Sequence, residues 1–264
     1  MPGIGVAHLT ALDLPPCTLA RQAAQAGFSA IGLRLNPAMP GGVAYALRAL
    51  SPQLGELKRV LAGEAVAVTD IEFVALLPDI DIDGLQWMLE AGAELGAHSV
   101  TVSGDDPDRQ RLTAHFARLC ELAAPFGLRI DLEFMRWREV ADLPSALTVV
   151  QGAAQPNGAI LVDALHLYRS GGDAASVAAV PKGLIAAVQL CDAPRLAPPP
   201  ELIIHEAREG RLAPGQGELP LAALLAALPE GIDFSVEMPA PHLPVAERLA
   251  LAYRATLELL AASR

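Results

Sequence analysis

The sequence is short of positive charge. Its 264 residues include 19 Lys and Arg against 30 Asp and Glu, and the formal net charge is −11. A protein that binds nucleic acid by releasing counterions from the phosphates needs clustered Lys and Arg. The acidic balance therefore argues against nucleic acid as a partner and favours a small molecule.

Cysteines are few, and long apolar stretches are missing. Cys17, Cys120 and Cys191 are an odd number of thiols without metal-site spacing, which indicates a reducing compartment without structural disulfides. The first residues, MPGIGVAHLT, have no basic segment followed by an apolar core, so a signal peptide is not expected. The longest apolar stretches hold about 10 residues, against the ~20 that a membrane helix needs. We therefore expect a soluble, cytoplasmic protein with no membrane partner.

What the sequence does contain is a regular alternation of short apolar runs with longer Ala- and Leu-rich runs at helical spacing. This alternation is typical of parallel sheets whose strands are connected by helices. The predicted strands span residues 3–9, 30–35, 66–73, 99–104, 128–134, 159–164, 185–192 and 234–239. The predicted helices span residues 15–26, 45–62, 82–96, 107–125, 142–154, 173–180, 218–228 and 243–261.

Eight strand–helix units in a chain of 264 residues predict an α/β fold, a (β/α)8 TIM barrel that forms a single domain over residues 1–264. A doubly wound open sheet is the alternative. That fold usually has fewer strands at this length, and no Gly-rich phosphate loop follows the first predicted strand.

The last four predicted strands end in polar side chains that could bind a metal ion. These side chains are Glu133, Asp163, Gln189 and Glu237. Each has apolar neighbours on both sides, so if the neighbours face the helices, the polar side chain faces the barrel axis. A single strand-end acid often caps a helix instead, but four in phase on adjacent strands favour one shared site. Three carboxylates there would repel one another, and a hard divalent cation with oxygen ligands is the simplest compensation.

Asp131 lies one layer deeper on the same strand as Glu133. A buried charge without a partner is costly, so we expect Asp131 to pair with an inward arginine, either Arg34 or a neighbour of Arg129. His8 and Glu72, near the ends of the first and third strands, are weaker candidates for the wall of the site.

One stretch, residues 192–217, does not fit the alternation. A loop of this length is usually functional, and this one leaves the C-terminal end of a barrel strand, so we interpret it as an active-site loop. Pro214, Gly215 and Gly217 would form a rigid turn that could bring Arg208 or Arg211 over the barrel mouth. A turn carrying surface arginines is the alternative, and the role of His205 stays open.

The order Glu, Asp, Gln, Glu on strands five to eight resembles the xylose isomerase-like TIM barrels. This family of sugar phosphate isomerases and epimerases includes hydroxypyruvate isomerase, ketose 3-epimerases, inosose dehydratase and 3-dehydroshikimate dehydratase. The resemblance implies that Glu133, Asp163, Gln189 and Glu237 bind one divalent metal ion, Mn²⁺, Mg²⁺ or Co²⁺. The third ligand is often His in the family, and Gln is a known variant.

Four further residues occupy spacings that match the family. Glu139 follows Glu133 by six in EFMRWRE, and His166 completes a D-x-x-H pair with Asp163. Arg195 follows Gln189 by six, and Arg211 begins an R-x-x-PG-x-G stretch. The resemblance implies that Glu139, His166, Arg195 and Arg211 bind substrate.

The resemblance also implies a reaction, which is proton abstraction α to a carbonyl through a metal-bound enediolate, with Glu133 and Glu237 moving the proton. With this chemistry we expect an isomerase or epimerase of a small sugar or keto-polyol. A hydroxyl β to the carbanion would give dehydration instead, as in dehydratases of the 3-dehydroshikimate or inosose type.

Two remote alternatives belong to other classes. Endonuclease IV shares the barrel, but its metal cluster uses many histidines and a basic groove, whereas this chain has six histidines and is acidic. A non-catalytic sugar-binding barrel is disfavoured by the intact pair of glutamates. No phosphate site is evident on the last two loops, so we expect a small, non-phosphorylated polar substrate. Barrels of this family often form homo-oligomers.

Overall fold

The computed structural model of the protein describes residues 3–263. Eight parallel strands close into a barrel in the order of the chain. The strands are β1 (Gly5–Val6), β2 (Ala30–Arg34), β3 (Ala67–Leu76), β4 (Ser99–Gly104), β5 (Arg129–Glu133), β6 (Gly158–Asp163), β7 (Ile185–Leu190) and β8 (Asp233–Val236). The predicted (β/α)8 barrel is confirmed.

The segments between the strands and the segment after β8 carry the α-helices of the described residues. They are α1 (Pro16–Ala26), α2 (Pro52–Glu64), α3 (Gln86–Leu95), α4 (Arg109–Ala123), α5 (Leu143–Ala153), α6 (Ala164–Arg169), α7 (Ala174–Ala178), α8 (Ile203–Glu209), α9 (Leu221–Ala227) and α10 (Val245–Ala262). Within residues 3–263, no helix combines the length and apolar character needed to cross a bilayer.

The boundaries differ from the prediction at several elements. The helix predicted at 45–62 begins only at Pro52, because Ser51 caps it by accepting a hydrogen bond from the Leu54 N–H at 3.2 Å. The first strand ends at Val6 and is followed by a 3-10 turn at His8–Ala11. The last strand ends at Val236, so Glu237 stands just beyond it. The predicted loop 192–217 contains α8, which the sequence pattern did not indicate.

The main hydrophobic core lies between the barrel and the helices. Leu132 and Phe134, the neighbours of Glu133, are fully buried and belong to this core, together with Phe116 from α4. Burying each of these large apolar side chains contributes about 1.5–3 kcal/mol. This packing leaves the alternate residues of each strand to face the barrel axis.

Asp131 pairs with Arg129, two residues earlier on β5, and not with Arg34. Arg129 donates from Nε to Asp131 Oδ1 at 2.6 Å and from Nη2 to Oδ2 at 2.8 Å, and it also reaches Asp233 at 2.9 Å. Residues two apart on a strand share a face, so Arg129 and Asp131 point the same way. The expectation for Arg34 is wrong because the β2–β3 register places Arg34 beside Glu72, to which its Nε donates at 2.6 Å.

Candidate active site

The C-terminal ends of the strands surround an open cavity of about 210 Å³. Its buried polar lining consists of Arg34, Glu72, Thr101, Glu133, His166, Gln189, Arg211 and Glu237. Apolar side chains cover much of the remaining wall, among them Leu9, Leu12, Phe73, Met135 and Trp137. The loop between β2 and α2 adds the exposed side chains of Met39 and Val43. The cavity therefore combines a charged, buried surface with apolar sides.

The four predicted metal ligands lie at the strand ends as the alternation requires. Glu133 and Asp163 are the last residues of β5 and β6, Gln189 is the penultimate residue of β7, and Glu237 directly follows β8. Asp163 and Gln189 are direct neighbours in the β6–β7 register. All four are buried, and three of them line the cavity. Asp163 is the fully buried member and lies against Arg211.

Arg211 enters this group of carboxylates from the segment after α8. Its Nη1 lies 2.5 Å from Asp163 Oδ2, and its Nη2 lies 2.9 Å from Glu237 Oε2. The Ala207 carbonyl in α8 accepts a further hydrogen bond from Arg211 Nε at 2.8 Å and fixes the guanidinium. Burial alone would raise the pKa of Asp163, but the charge of Arg211 and the hydrogen bonds to the carboxylate hold that pKa below its ordinary value.

His166 is held beside the same carboxylates by the start of α6. Asp163 caps this helix, because its Oδ1 accepts a hydrogen bond from the His166 N–H at 2.9 Å. The Nε2 atom of His166 lies 3.7 Å from Glu133 Oε1, and Trp137 contacts the imidazole edge to face at 5.0 Å between centroids. Burial lowers the pKa of His166 to about 4, so the imidazole is neutral at neutral pH.

The donor atoms of the site fit a divalent cation. One atom each from Glu133, Asp163 and His166 lie within 4.8 Å of one another. The Oε1 atom of Gln189 is buried and has no hydrogen-bond partner among residues 3–263. Carboxylate and amide oxygens suit Mg²⁺ or Mn²⁺, and an added imidazole nitrogen also suits Zn²⁺. His166 is thus a potential ligand as well as the substrate contact predicted from the sequence.

Glu133 and Glu237 hold a proton more readily than ordinary glutamates, because both have raised pKa values. Burial, followed by repulsion from Glu237 and Asp163, raises the pKa of Glu133 well above its ordinary value. Burial also raises the pKa of Glu237, to about 8, although Arg211 opposes the rise. Two carboxyl groups of this kind on one cavity can act as a general base and a general acid.

The structure places two of the predicted substrate-binding residues, Glu139 and Arg195, at the exposed surface outside the cavity. The Glu139 carbonyl accepts a hydrogen bond from Arg109 at 3.3 Å, and the Arg195 N–H donates to Glu218 at 3.1 Å. These side chains lie on loops at the barrel mouth, and the geometry gives their predicted role no support.

The two histidines left undecided by the sequence also lie away from the cavity lining. His8 is fully buried, where its Nδ1 accepts the Arg34 N–H at 2.9 Å and its Nε2 lies 3.0 Å from the Leu14 carbonyl. His205 is exposed on α8, 3.6 Å from Glu209. His8 is therefore a structural residue that links the turn after β1 to the end of β2.

Several cavity residues had not been identified as site residues from the sequence. Arg34 and Thr101 lie on β2 and β4 and face the barrel axis, so the alternation that identified Glu133 could have identified them. Trp137 and Arg138 belong to the irregular loop after β5, which has no periodicity to assign their direction. Arg208, in the last turn of α8, also lines the cavity. The sequence had indicated that either Arg208 or Arg211 lies over the barrel mouth.

A closed (β/α)8 barrel with buried carboxylates at the C-terminal strand ends defines the class of TIM barrels whose sites are built from strand-end residues. Within this class, residues 20–262 match the model of the xylose isomerase-like TIM barrel family. The chain belongs to that family, as the order of its strand-end residues predicted.

A curated relative has a similar sequence over part of its length. The 3-dehydroshikimate dehydratase of Pseudomonas aeruginosa is 36% identical over 141 residues, which are 53% of this chain and 22% of that protein. The aligned part is therefore less than a quarter of the relative.

Solved structures extend the similarity over the whole barrel. The IOLI protein with a bound zinc atom superposes with a TM-score of 0.81 at 20% identity, with 99% of both chains covered. The D-allulose 3-epimerase of a Methylomonas species, in complex with D-allulose, superposes with a TM-score of 0.73 at 17% identity, over 99% of this chain and 97% of that one. At these identities the likeness establishes the fold.

Proposed function

We propose that this chain is a divalent-metal-dependent enzyme that removes water from a small, cyclic hydroxy-keto acid of the 3-dehydroshikimate type. The observation that carries the proposal is the pair Glu133 and Glu237, two buried carboxyl groups that line one cavity and have raised pKa values. Such a pair supplies both proton transfers that a dehydration needs.

The two glutamates divide the reaction between them. One carboxylate accepts the proton from the carbon next to the substrate carbonyl, and the resulting electron pair forms the new double bond. The other glutamate, in its protonated form, donates to the β-hydroxyl, which leaves as water. In each turnover one glutamate gains a proton and the other loses one. The two glutamates therefore exchange roles until proton exchange with solvent restores their original protonation states.

The remaining residues of the site bind the cation and orient the substrate. Glu133, Asp163, Gln189 and Glu237 would hold the divalent cation, which supplies Lewis-acid stabilisation of negative charge on a carbonyl oxygen when bound. The backbone N–H of His166 and the guanidinium of Arg211 fix the Asp163 carboxylate from two sides. The neutral imidazole of His166, beside Glu133, is placed to hydrogen-bond a substrate oxygen.

The cavity wall favours a ring acid over a polyhydroxylated sugar. A sugar carries a hydroxyl on nearly every carbon and needs hydrogen-bond partners on every side, but Leu9, Phe73, Met135 and Trp137 offer apolar surface. A partly unsaturated ring can pack against such a surface, with its few oxygens on the polar side of the cavity.

A free guanidinium supports an anionic substrate. Arg34 is paired with Glu72, and Arg138 is paired with Asp105 at 2.6 Å. Arg208 also lines the cavity, and among residues 3–263 its side chain has no carboxylate partner and hydrogen-bonds only to the Met39 sulfur, at 3.8 Å. A substrate carboxylate would provide the charge-assisted, two-pronged partner that a guanidinium prefers. The similarity to a 3-dehydroshikimate dehydratase agrees with this substrate class.

The isomerase or epimerase reaction expected from the sequence is the second candidate. It needs the same two proton-carrying glutamates and no leaving group, and a family fold that binds D-allulose in another protein favours it. It is the weaker of the two candidate reactions, because the apolar cavity wall and the unpaired Arg208 favour an acidic ring substrate over a sugar.

The reactions can be separated by incubating the Mn²⁺-loaded protein in D₂O with 3-dehydroshikimate and, separately, with D-allulose, followed by NMR. The proposal expects consumption of 3-dehydroshikimate with loss of water and new aromatic signals, abolished by Glu133→Gln. Deuterium entering D-allulose without loss of water would establish the epimerase reaction instead. A protein inert to both compounds would contradict the proposed function.

A further inference from the structure

A second, smaller cavity of about 10 Å³ lies inside the barrel below the candidate active site. Six oxygen-bearing side chains line it: Thr69, Asp70, Ser99, Gln189, Asp233 and Ser235, of which Gln189 also lines the upper cavity. Ser99 and Asp233 are the first residues of β4 and β8, so this cavity lies toward the N-terminal ends of the strands. Its size is that of a single water molecule or of a small ion.

Asp70 places a carboxylate oxygen without a partner in this cavity. Its side-chain Oδ1 accepts a hydrogen bond from the Thr69 hydroxyl at 2.9 Å, whereas its Oδ2 is buried and has no hydrogen-bond partner among residues 3–263. Asp70 is 8% exposed. A Cβ atom at Gly32 on the neighbouring β2 would lie 3.0 Å from both carboxylate oxygens, so the glycine leaves the space that Asp70 occupies.

The charged groups around the cavity do not balance. Arg129 is bound to Asp131 through two hydrogen bonds and to Asp233 through a third, and makes none to Asp70. His98 lies 3.1 Å from Asp233 on the outer side, with its side chain 55% exposed. Burial and then the charges of Glu72, Asp131 and Asp233 raise the pKa of Asp70 to about 7. One arginine thus compensates three aspartates around this cavity.

We propose that the lower cavity binds one small, hard monovalent cation such as Na⁺, with Asp70 Oδ2 as its charged ligand. Hydroxyl, carboxylate and amide oxygens are the donors that hard cations prefer, and all six polar side chains of the cavity supply them. A monovalent ion matches the single free carboxylate, because Asp233 is already engaged by Arg129. The bound cation would reduce the charge imbalance beneath the active site. The cation would take no part in the proposed reaction, although Gln189 lines both cavities.

The test is thermal unfolding of the full chain at pH 8 with EDTA present, in NaCl and in choline chloride of equal ionic strength. At this pH Asp70 is largely ionised, and EDTA keeps divalent ions out of the upper site. We expect NaCl to raise the Tm along a saturating curve, by about 5 °C or more near 100 times Kd. Asp70→Asn should abolish the rise, and Asp79→Asn, at an exposed aspartate, should preserve it.

Equal Tm values of the unmodified protein in the two salts would overturn the proposal, as would an Asp70→Asn protein that responds to NaCl like the parent. An Asp70→Asn protein that is more stable than a salt-insensitive parent would show that a proton neutralises Asp70, which also overturns it. If Asp70→Asn does not fold, a crystal of the unmodified protein soaked in Tl⁺ decides the question. An anomalous peak beside Asp70 Oδ2 supports the proposal, and its absence contradicts it.

Discussion

The guanidinium of Arg211 bridges two candidate metal ligands, with Nη1 2.5 Å from Asp163 Oδ2 and Nη2 2.9 Å from Glu237 Oε2. Arg211 is 2% exposed, so its positive charge is removed from water and depends on these carboxylates for compensation. The same carboxylates depend on Arg211, because a buried anion without a partner is costly. A divalent cation bound here would share with Arg211 the task of neutralising this site.

Replacing Arg211 should make the protein more dependent on metal. We expect Arg211→Met to lower the free energy of unfolding of the metal-free protein by about 3–5 kcal/mol, because buried carboxylates lose their partner. Added Mn²⁺ should then raise the Tm of the variant more than that of the parent. Thermal unfolding in EDTA and in Mn²⁺ measures both effects, with Arg118→Met, at a half-exposed surface residue, as the control. A metal-free Arg211→Met protein as stable as the parent would refute the structural role.

Glu133 and Glu237 should be indispensable for turnover and dispensable for folding. Glu133→Gln and Glu237→Gln keep the side-chain shape but remove the proton-carrying group, so each should lower kcat by about 10²–10⁴ fold. Circular dichroism and Tm should change little. Steady-state kinetics on the substrate identified by NMR provide the measurement.

Glu139→Gln is the matched control for these two variants, because the Glu139 side chain is exposed and lies outside the cavity. Near-normal kcat in Glu139→Gln would agree with its position. Substantial activity in both Glu133→Gln and Glu237→Gln would defeat the proton-transfer assignment.

Arg208 should determine affinity for an anionic substrate. Arg208→Met removes the cavity guanidinium that lacks a carboxylate partner among residues 3–263. We expect KM for the acid substrate to rise by about tenfold or more, since a charge-assisted hydrogen bond contributes about 1.5–3 kcal/mol. Arg195→Met, at the exposed arginine that the sequence had favoured, is the control. If Arg195→Met raises KM and Arg208→Met does not, the predicted role of Arg195 is correct and the position of Arg208 is incidental.

The strands, and the inward direction of the strand-end polar side chains, could be predicted from the sequence. Both depend on the local alternation of polar and apolar residues. Glu133, Asp163, Gln189 and Glu237 each stand between apolar residues, and the side-chain period of two then sends all four inward. The same alternation also identifies the arginine that pairs with Asp131. Arg129 lies two positions away and so shares its face, and its proximity identified it better than Arg34, which lies at the other end of the barrel.

The position of Arg211 could not be obtained in this way. It depends on α8, a seven-residue helix inside an apparently irregular stretch, whose Ala207 carbonyl holds the guanidinium. Glu139 and Arg195 were predicted from a family spacing. This spacing identified loops at the barrel mouth, but the two side chains lie outside the cavity. Loop residues have no period that fixes their direction.

The buried His8 should contribute to the free energy of unfolding in a way that depends on pH. Its Nδ1 accepts the Arg34 N–H and its Nε2 lies 3.0 Å from the Leu14 carbonyl, an arrangement that needs the neutral ring with the proton on Nε2. Burial lowers the pKa of His8 below its ordinary value. The folded state therefore binds this proton more weakly than the unfolded state, so His8 supports stability above about pH 6.5 and loses that support as the pH falls.

We expect His8→Gln to flatten the dependence of the free energy of unfolding on pH below about pH 6.5. Urea unfolding at a series of pH values measures this slope. His242→Gln, at an exposed histidine, should retain the parent slope. An unchanged slope in His8→Gln would show that His8 does not titrate with folding.

The central claim is that the side chains at the ends of β5 to β8 hold one divalent cation. Anomalous diffraction from crystals of the Mn²⁺-loaded protein, recorded near the manganese edge, tests it most directly. We expect one strong peak at the C-terminal end of the barrel, within ligand distance of Glu133, Asp163, Gln189 and Glu237. No peak there, or an ion that leaves Gln189 and both glutamates unbound, would contradict the account.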